Sequence, residues 1–219
     1  MRNMAFSAEM GGGAGALVAL VHADGSEGQA QHARLLMPRV PTRDLADAAH
    51  LLCVLHGRQP GVLEHAARRA VDDAAGEWLA ELAHAFAGER AYLVRLIAAA
   101  GPLPSTPGQA ETEAVVSAQR HALEMLAQSD RAGCALGAAA AMALDWAAIR
   151  RVFDVAAERL GLDVAPGDFP PPHDSATLIA TFAGDPGLER AMLFGAQQLL
   201  AQHRGLWNLL EARANARVH

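Results

Sequence analysis

Three ionisable residues stand where long amphipathic helices should bury leucine. With residues placed at about 100° intervals around a helix, His203 in the run QQLLAQHRGLWNLLEAR falls inside the stripe Leu188, Met192, Leu199, Leu206 and Leu210. Glu89 falls at the centre of the stripe Leu82, Phe86, Leu93 and Leu96, with Tyr92 on its flank. Asp145 lies in the middle of Met142, Ile149, Val152, Phe153 and Ala156. An unpartnered ionisable group in an apolar interior costs several kcal/mol, so each demands a hydrogen bond, a counter-charge, a metal or a shifted protonation state. One economical arrangement is that they meet, with Glu89 and Asp145 accepting from His203 or all three binding one metal. The other is that an arginine, a backbone group or a helix end satisfies each separately, as ion-pair networks inside bundles do. Glu89, Asp145 and His203 are thus the candidate buried cluster, and as metal ligands they would suit iron or manganese.

A second set has a more familiar spacing. Glu81-Leu-Ala-His84 is an ExxH and Asp47-Ala-Ala-His50 a DxxH, and carboxylate-bridged di-metal bundles use a Glu-x-x-His pair on each of two helices. The helical wheel places Glu81 at the edge of its stripe, His84 pointing away and His50 off the core face. An ExxH also arises readily by chance in a chain with ten histidines. His121 and Glu124 stand in the reverse order, and Glu124 pairs more naturally with Arg120 on the solvent side. There is no GxSxG, HExxH or catalytic Cys-His spacing, and Ser105 has no neighbouring base. Trp78, Trp146 and Trp207 are spaced as core or interface aromatics, and Arg204 suits a surface ion pair.

The totals narrow the classes of function. At 219 residues, 52% hydrophobic and 19% charged, the chain is long enough for one well-buried domain. Its 18 basic residues are all arginine. A Walker A loop needs lysine at the phosphates and Schiff-base or pyridoxal phosphate catalysis needs a lysine amine, so neither is encoded. A formal charge of −6, with arginines spread along helices opposite Asp and Glu, leaves no basic stripe, and no nucleic-acid partner is expected. The smoothest stretch, Ala132 to Leu144, falls short of the roughly 18 apolar residues of a membrane helix, and no membrane partner is expected. Cys53 and Cys134 lie far apart among apolar neighbours, and the glycine-rich start makes a poor signal peptide, so a reduced, cytoplasmic setting is expected.

The elements that must position these groups are helical. Residues 1–41 read as a partly irregular segment, with Leu17 to Val21 as a short strand or helical turn and 22–33 as loop. Residues 42–219 read as the bundle domain. Thr42 can cap a helix over 43–56 that Gly57 stops, and further helices are predicted near 61–71, 74–100, 108–129, 131–161, 174–183 and 186–216. In the second of these Glu64, Arg68 and Arg69 are expected to face outward. The segments GPLPSTPGQ and LDVAPGDFPPPHD break helix with their prolines, and Asp185-Pro186 is an N-cap followed by a first-turn proline. Gly133 and Gly137 allow another backbone to approach. The expectation is an all-α, single-domain bundle of about five to seven helices, the long ones mostly antiparallel.

The run GPLPSTPGQAETEAVVSAQRHALEMLAQSDRAGCALGAA, with the later FGAQQLLAQHRGLW, resembles a family of uncharacterised bacterial all-helical proteins over about residues 43 to 216. That resemblance implies a stand-alone domain and no activity. Likeness to ferritin-like or haem-oxygenase-like bundles is an analogy of fold class, which does not carry function.

These readings favour an uncharacterised cytoplasmic helical-bundle protein without defined catalysis. It would self-associate, as a dimer, or bind a small ligand, and its interior polar cluster would fix helix register or orient that ligand. A small apolar ligand would occupy space left by the glycines and alanines of the helix at 131–161, gated by residues 162–173. The rival is a metal-dependent oxidoreductase holding iron or manganese through Glu89, Asp145 and His203, or through Glu81 and His84.

Overall fold

The computed structural model describes residues 12–182 and 185–217. Its elements are α1 (Gly12–Asp24), a 3₁₀ turn (Ser26–Gly28), α2 (Ala30–Leu35), α3 (Thr42–His56), α4 (Val62–Ala67), α5 (Asp73–Ala100), α6 (Gln109–Ala127), α7 (Cys134–Leu160), α8 (Pro172–Phe182) and α9 (Pro186–Ala216). No strand occurs among the described residues. The nine helices of the described residues exceed the expected five to seven because the N-terminal segment is helical as well. The possible strand at Leu17 to Val21 lies inside α1, where Ala14, Gly15 and Leu17 are buried, and the expected loop at 22–33 holds the 3₁₀ turn and the start of α2. Of the irregular start expected over 1–41, residues 1–11 lie outside the described ones.

Helix α7 is the axis of the molecule. It packs most extensively on α9 and also touches α1 to α6 and α8. A helix covered on all sides must be apolar all round, and this one buries Ala138, Ala139, Ala140 and Ala141 completely. Its small residues let α9 come close. A Cβ on Gly137 would overlap the Met192 backbone, and one on Gly195 of α9 would overlap the Cys134 carbonyl. The two helices thus cross through reciprocal glycines, and the glycine sites expected to border a ligand cavity are taken up by backbone. The expected gate at 162–173 is tied down: Arg150 donates to the Ala165 carbonyl, and Phe169 packs 5.8 Å from Phe86 between ring centroids.

Local signals end the helices much as the sequence implies. Asp72 caps α5 by accepting from the Ala75 amide at 2.8 Å, and Asp185 caps α9 by accepting from the Leu188 amide at 2.9 Å. Thr42 is instead the first helical residue of α3, preceded by Pro41, and no side chain caps that end. Trp78, Trp146 and Trp207 are all buried. Cys53 and Cys134 are free thiols, and burial pushes the Cys53 thiol above its ordinary range.

Candidate functional site

Asp145 of α7 and His203 of α9 meet in the interior, 2% and 1% exposed, with His203 Nδ1 2.7 Å from Asp145 Oδ2. The close α7–α9 crossing brings them together. Ser26 completes the carboxylate: its amide donates to Oδ1 at 2.7 Å and its hydroxyl to Oδ2 at 2.6 Å. Trp207 Nε1 in turn donates to the Ser26 hydroxyl at 2.9 Å. Gly25 makes this approach possible, because a Cβ there would sit 2.8 Å from Asp145 Oδ1 and closer still to the Val21 carbonyl. Burial alone would raise the Asp145 pKa, but the hydrogen bond and charge of His203 and the two Ser26 donors outweigh it and hold it below the ordinary carboxylate range.

The network continues to a residue not singled out from the sequence. His56, the last residue of α3, lies 5% exposed, with Nε2 2.9 Å from Nε2 of His203. An ionised carboxylate only accepts, so Nδ1–H of His203 donates to Asp145 and one proton fits between the two Nε2 atoms. Burial first, then His203 and Arg90, push the His56 pKa well below 6.5. Nδ1 of His56 makes no hydrogen bond among the described residues, and the ring lines a small cleft with Leu55, Phe86, Arg90, Arg120 and Met142. The cleft holds about 20 Å³, room for about one water molecule. Asp145, His203 and His56 can therefore pass a proton along one line whose open end is His56 Nδ1.

Arg90 fixes the cleft wall. Its guanidinium forms a bidentate pair with Glu64 at 2.6 and 2.9 Å, donates from Nε to the His56 carbonyl at 3.3 Å and lies over the Phe86 ring. Glu64, expected to face outward, instead turns to Arg90 and also accepts from the Gly61 amide at 2.7 Å. Burial raises its pKa, yet Arg90 and Gly61 bring the net value below the ordinary range.

Glu89 is buried as its position predicts, but belongs to another network. It accepts from Trp146 Nε1 at 3.0 Å and from Arg150, whose Nε also donates to Asp154 at 2.8 Å. The Tyr92 hydroxyl bonds Asp154 at 3.2 Å, and its pKa is pushed up to about 12 by burial and that carboxylate. The expected three-way cluster thus divides: Asp145 and His203 are joined, while Glu89 is neutralised by Arg150. Glu81 and His84 are exposed on α5. Asp47 is buried against Arg213, which donates to it at 3.0 and 3.1 Å, and against Arg217, while His50 Nε2 bonds the Gly101 carbonyl at 2.8 Å. Among the described residues no group of three or more His, Cys, Asp or Glu side chains is placed to hold a metal ion. Arg120 and Glu124 pair at 3.5 Å, and Arg204 pairs with Asp24 at the surface.

The fold and site define an all-α protein with a buried Asp-His-His network, in which no helix of the described residues is long and apolar enough to cross a membrane. The chain belongs to a family of unknown function, DUF6975, whose model matches residues 21–218. No curated protein and no solved structure matches it significantly.

Proposed function

We propose that this protein is a small-ligand-binding helical domain whose site is the cleft beside His56, and that its ligand is a small carboxylate. The observation that carries the reading is the unbroken run of hydrogen bonds from Asp145 through His203 to His56, which ends on the wall of that cleft. Arg58 borders the same opening and supplies positive charge for the carboxylate, Arg120 being paired there with Glu124 at 3.5 Å, while Phe86, Leu123 and Met142 receive its apolar part. His56 then exchanges a proton with the ligand, and Asp145 stabilises the added charge through His203. A ligand larger than water needs the cleft to widen, and the exposed turn Arg58, Gln59, Pro60 is the wall with the least to lose by moving. The free thiols suit a reducing compartment such as the cytoplasm.

Histidine-selective NMR of the intact protein, titrated with acetate and then propionate, tests this. The His56 ring signals should shift and saturate while those of exposed His173 stay fixed, and Arg58→Gln should weaken the response. His56 signals that ignore both anions would remove the reading.

A further inference from the structure

The outer face of α6 has no partner among the described residues. Val115, Ala118, Ala122 and Met125 are all exposed and follow one another at spacings of three, four and three residues, the seam spacing of helices that pack on helices. Val115 is 44% and Met125 61% exposed, and on the adjoining α9 Phe194 is 43% exposed. Between Met125 and Phe194 runs a groove of about 380 Å³ floored by Leu126 and Cys134.

We propose that this face binds the same face of a second copy, α6 against α6, antiparallel about a two-fold axis at the level of residue 120. The seam is self-complementary in that arrangement, and since a parallel pair in register would also match each residue to its own copy, the direction is chosen by the charges at the two ends of the helix. Val115 meets the partner's Met125, Ala118 meets the partner's Ala122, and the alanines at the centre let the two axes approach. Each Val115 enters the groove beside the partner's Phe194. The charges agree with the same direction. Exposed Glu111 and Glu113 stand at the start of α6, and exposed Arg131, stacked over Phe194, follows its end. Antiparallel packing sets the acidic end of each helix beside the arginine of the other, whereas parallel packing sets acid beside acid. The 19-residue helix offers a seam of about 28 Å.

Light scattering during gel filtration of the full chain is expected to give twice the mass of one chain. Met125→Glu and Ala118→Glu, both on an exposed face and so harmless to folding, should each weaken association about tenfold or more. Oxidising an equal mixture of Val115→Cys and Met125→Cys chains, both also carrying Cys53→Ala and Cys134→Ala to remove the native free thiols, should cross-link one to the other, while neither variant alone cross-links. A strictly monomeric wild type overturns the proposal, as does a dimer that survives both glutamates or that cross-links Val115→Cys to itself.

Discussion

His56 and His203 face each other through Nε2 atoms 2.9 Å apart, with their rings nearly perpendicular at 85°. Two imidazoles in that geometry share one proton, and the ring further from Asp145 is the one that meets the cleft. The acid–base state of the interior is therefore set from the His56 side.

The first consequence is acid lability. The His56 pKa in the folded chain is depressed below 6.5, chiefly by burial, so the unfolded chain takes up the proton first. Its contribution to stability is full above about 6.5 and is lost as pH falls from there towards the depressed value. His32, also lowered by burial, acts in the same direction. Urea midpoints measured from pH 8 downward should begin to fall near pH 6.5, and His56→Gln should flatten this slope without abolishing it. An unchanged slope in His56→Gln would contradict the assignment.

Asp145 should be the most sensitive position of the network. Asp145→Ala leaves the Ser26 amide and hydroxyl and the His203 Nδ1–H without their acceptor, and losing one partner of a buried charged set costs about 3–5 kcal/mol. Ser26→Ala removes one donor and orphans Trp207 Nε1, at about 1.5–3 kcal/mol. Chemical denaturation of the two variants gives the order, and an equal or reversed order would show that the carboxylate is better solvated than its surroundings indicate.

Asp47 and Arg213 provide a separable test 166 positions apart in sequence. Asp47→Ala strands Arg213 in a site where it is 2% exposed and should cost about 3–5 kcal/mol. Asp47→Leu combined with Arg213→Met should recover much of that loss. A double-mutant cycle by thermal melting reads the coupling directly.

Two glycines in helix interiors should respond oppositely. A Cβ added at Gly88 would meet nothing within 4 Å, so Gly88→Ala should stabilise by about 0.5–1 kcal/mol through helix propensity. Gly137→Ala drives a methyl into the Met192 backbone and should destabilise by about 1–3 kcal/mol or more. Differential scanning calorimetry decides both signs.

Much of this was legible in the sequence where the deciding physics is local. Periodicity placed Glu89, Asp145 and His203 inside, and all three are buried. It does not reveal partners, so the pairing of Glu89 with Arg150, apart from the other two, could not be read from it. His56 was accessible to the same test, since it follows Leu45, Ala49 and Leu52 at eleven, seven and four residues, but its place beside Gly57 makes it look like a helix end only. Ser26 gives no such sign. Its role depends on a contact across 119 positions, and the local cue is no more than a small residue before a serine. Asp47 likewise reads as half of a DxxH until the end of α9 brings arginines to it.

The Ser26 turn has one more consequence. It supplies two of the three hydrogen bonds that Asp145 accepts, and it comes from the segment before residue 42. A chain begun at residue 42 would retain every long helix yet leave the central carboxylate uncorked, open to water on the side opposite His56. The N-terminal segment is thus the stopper of the interior, and a transient lifting of it would ventilate the Asp-His-His line from behind.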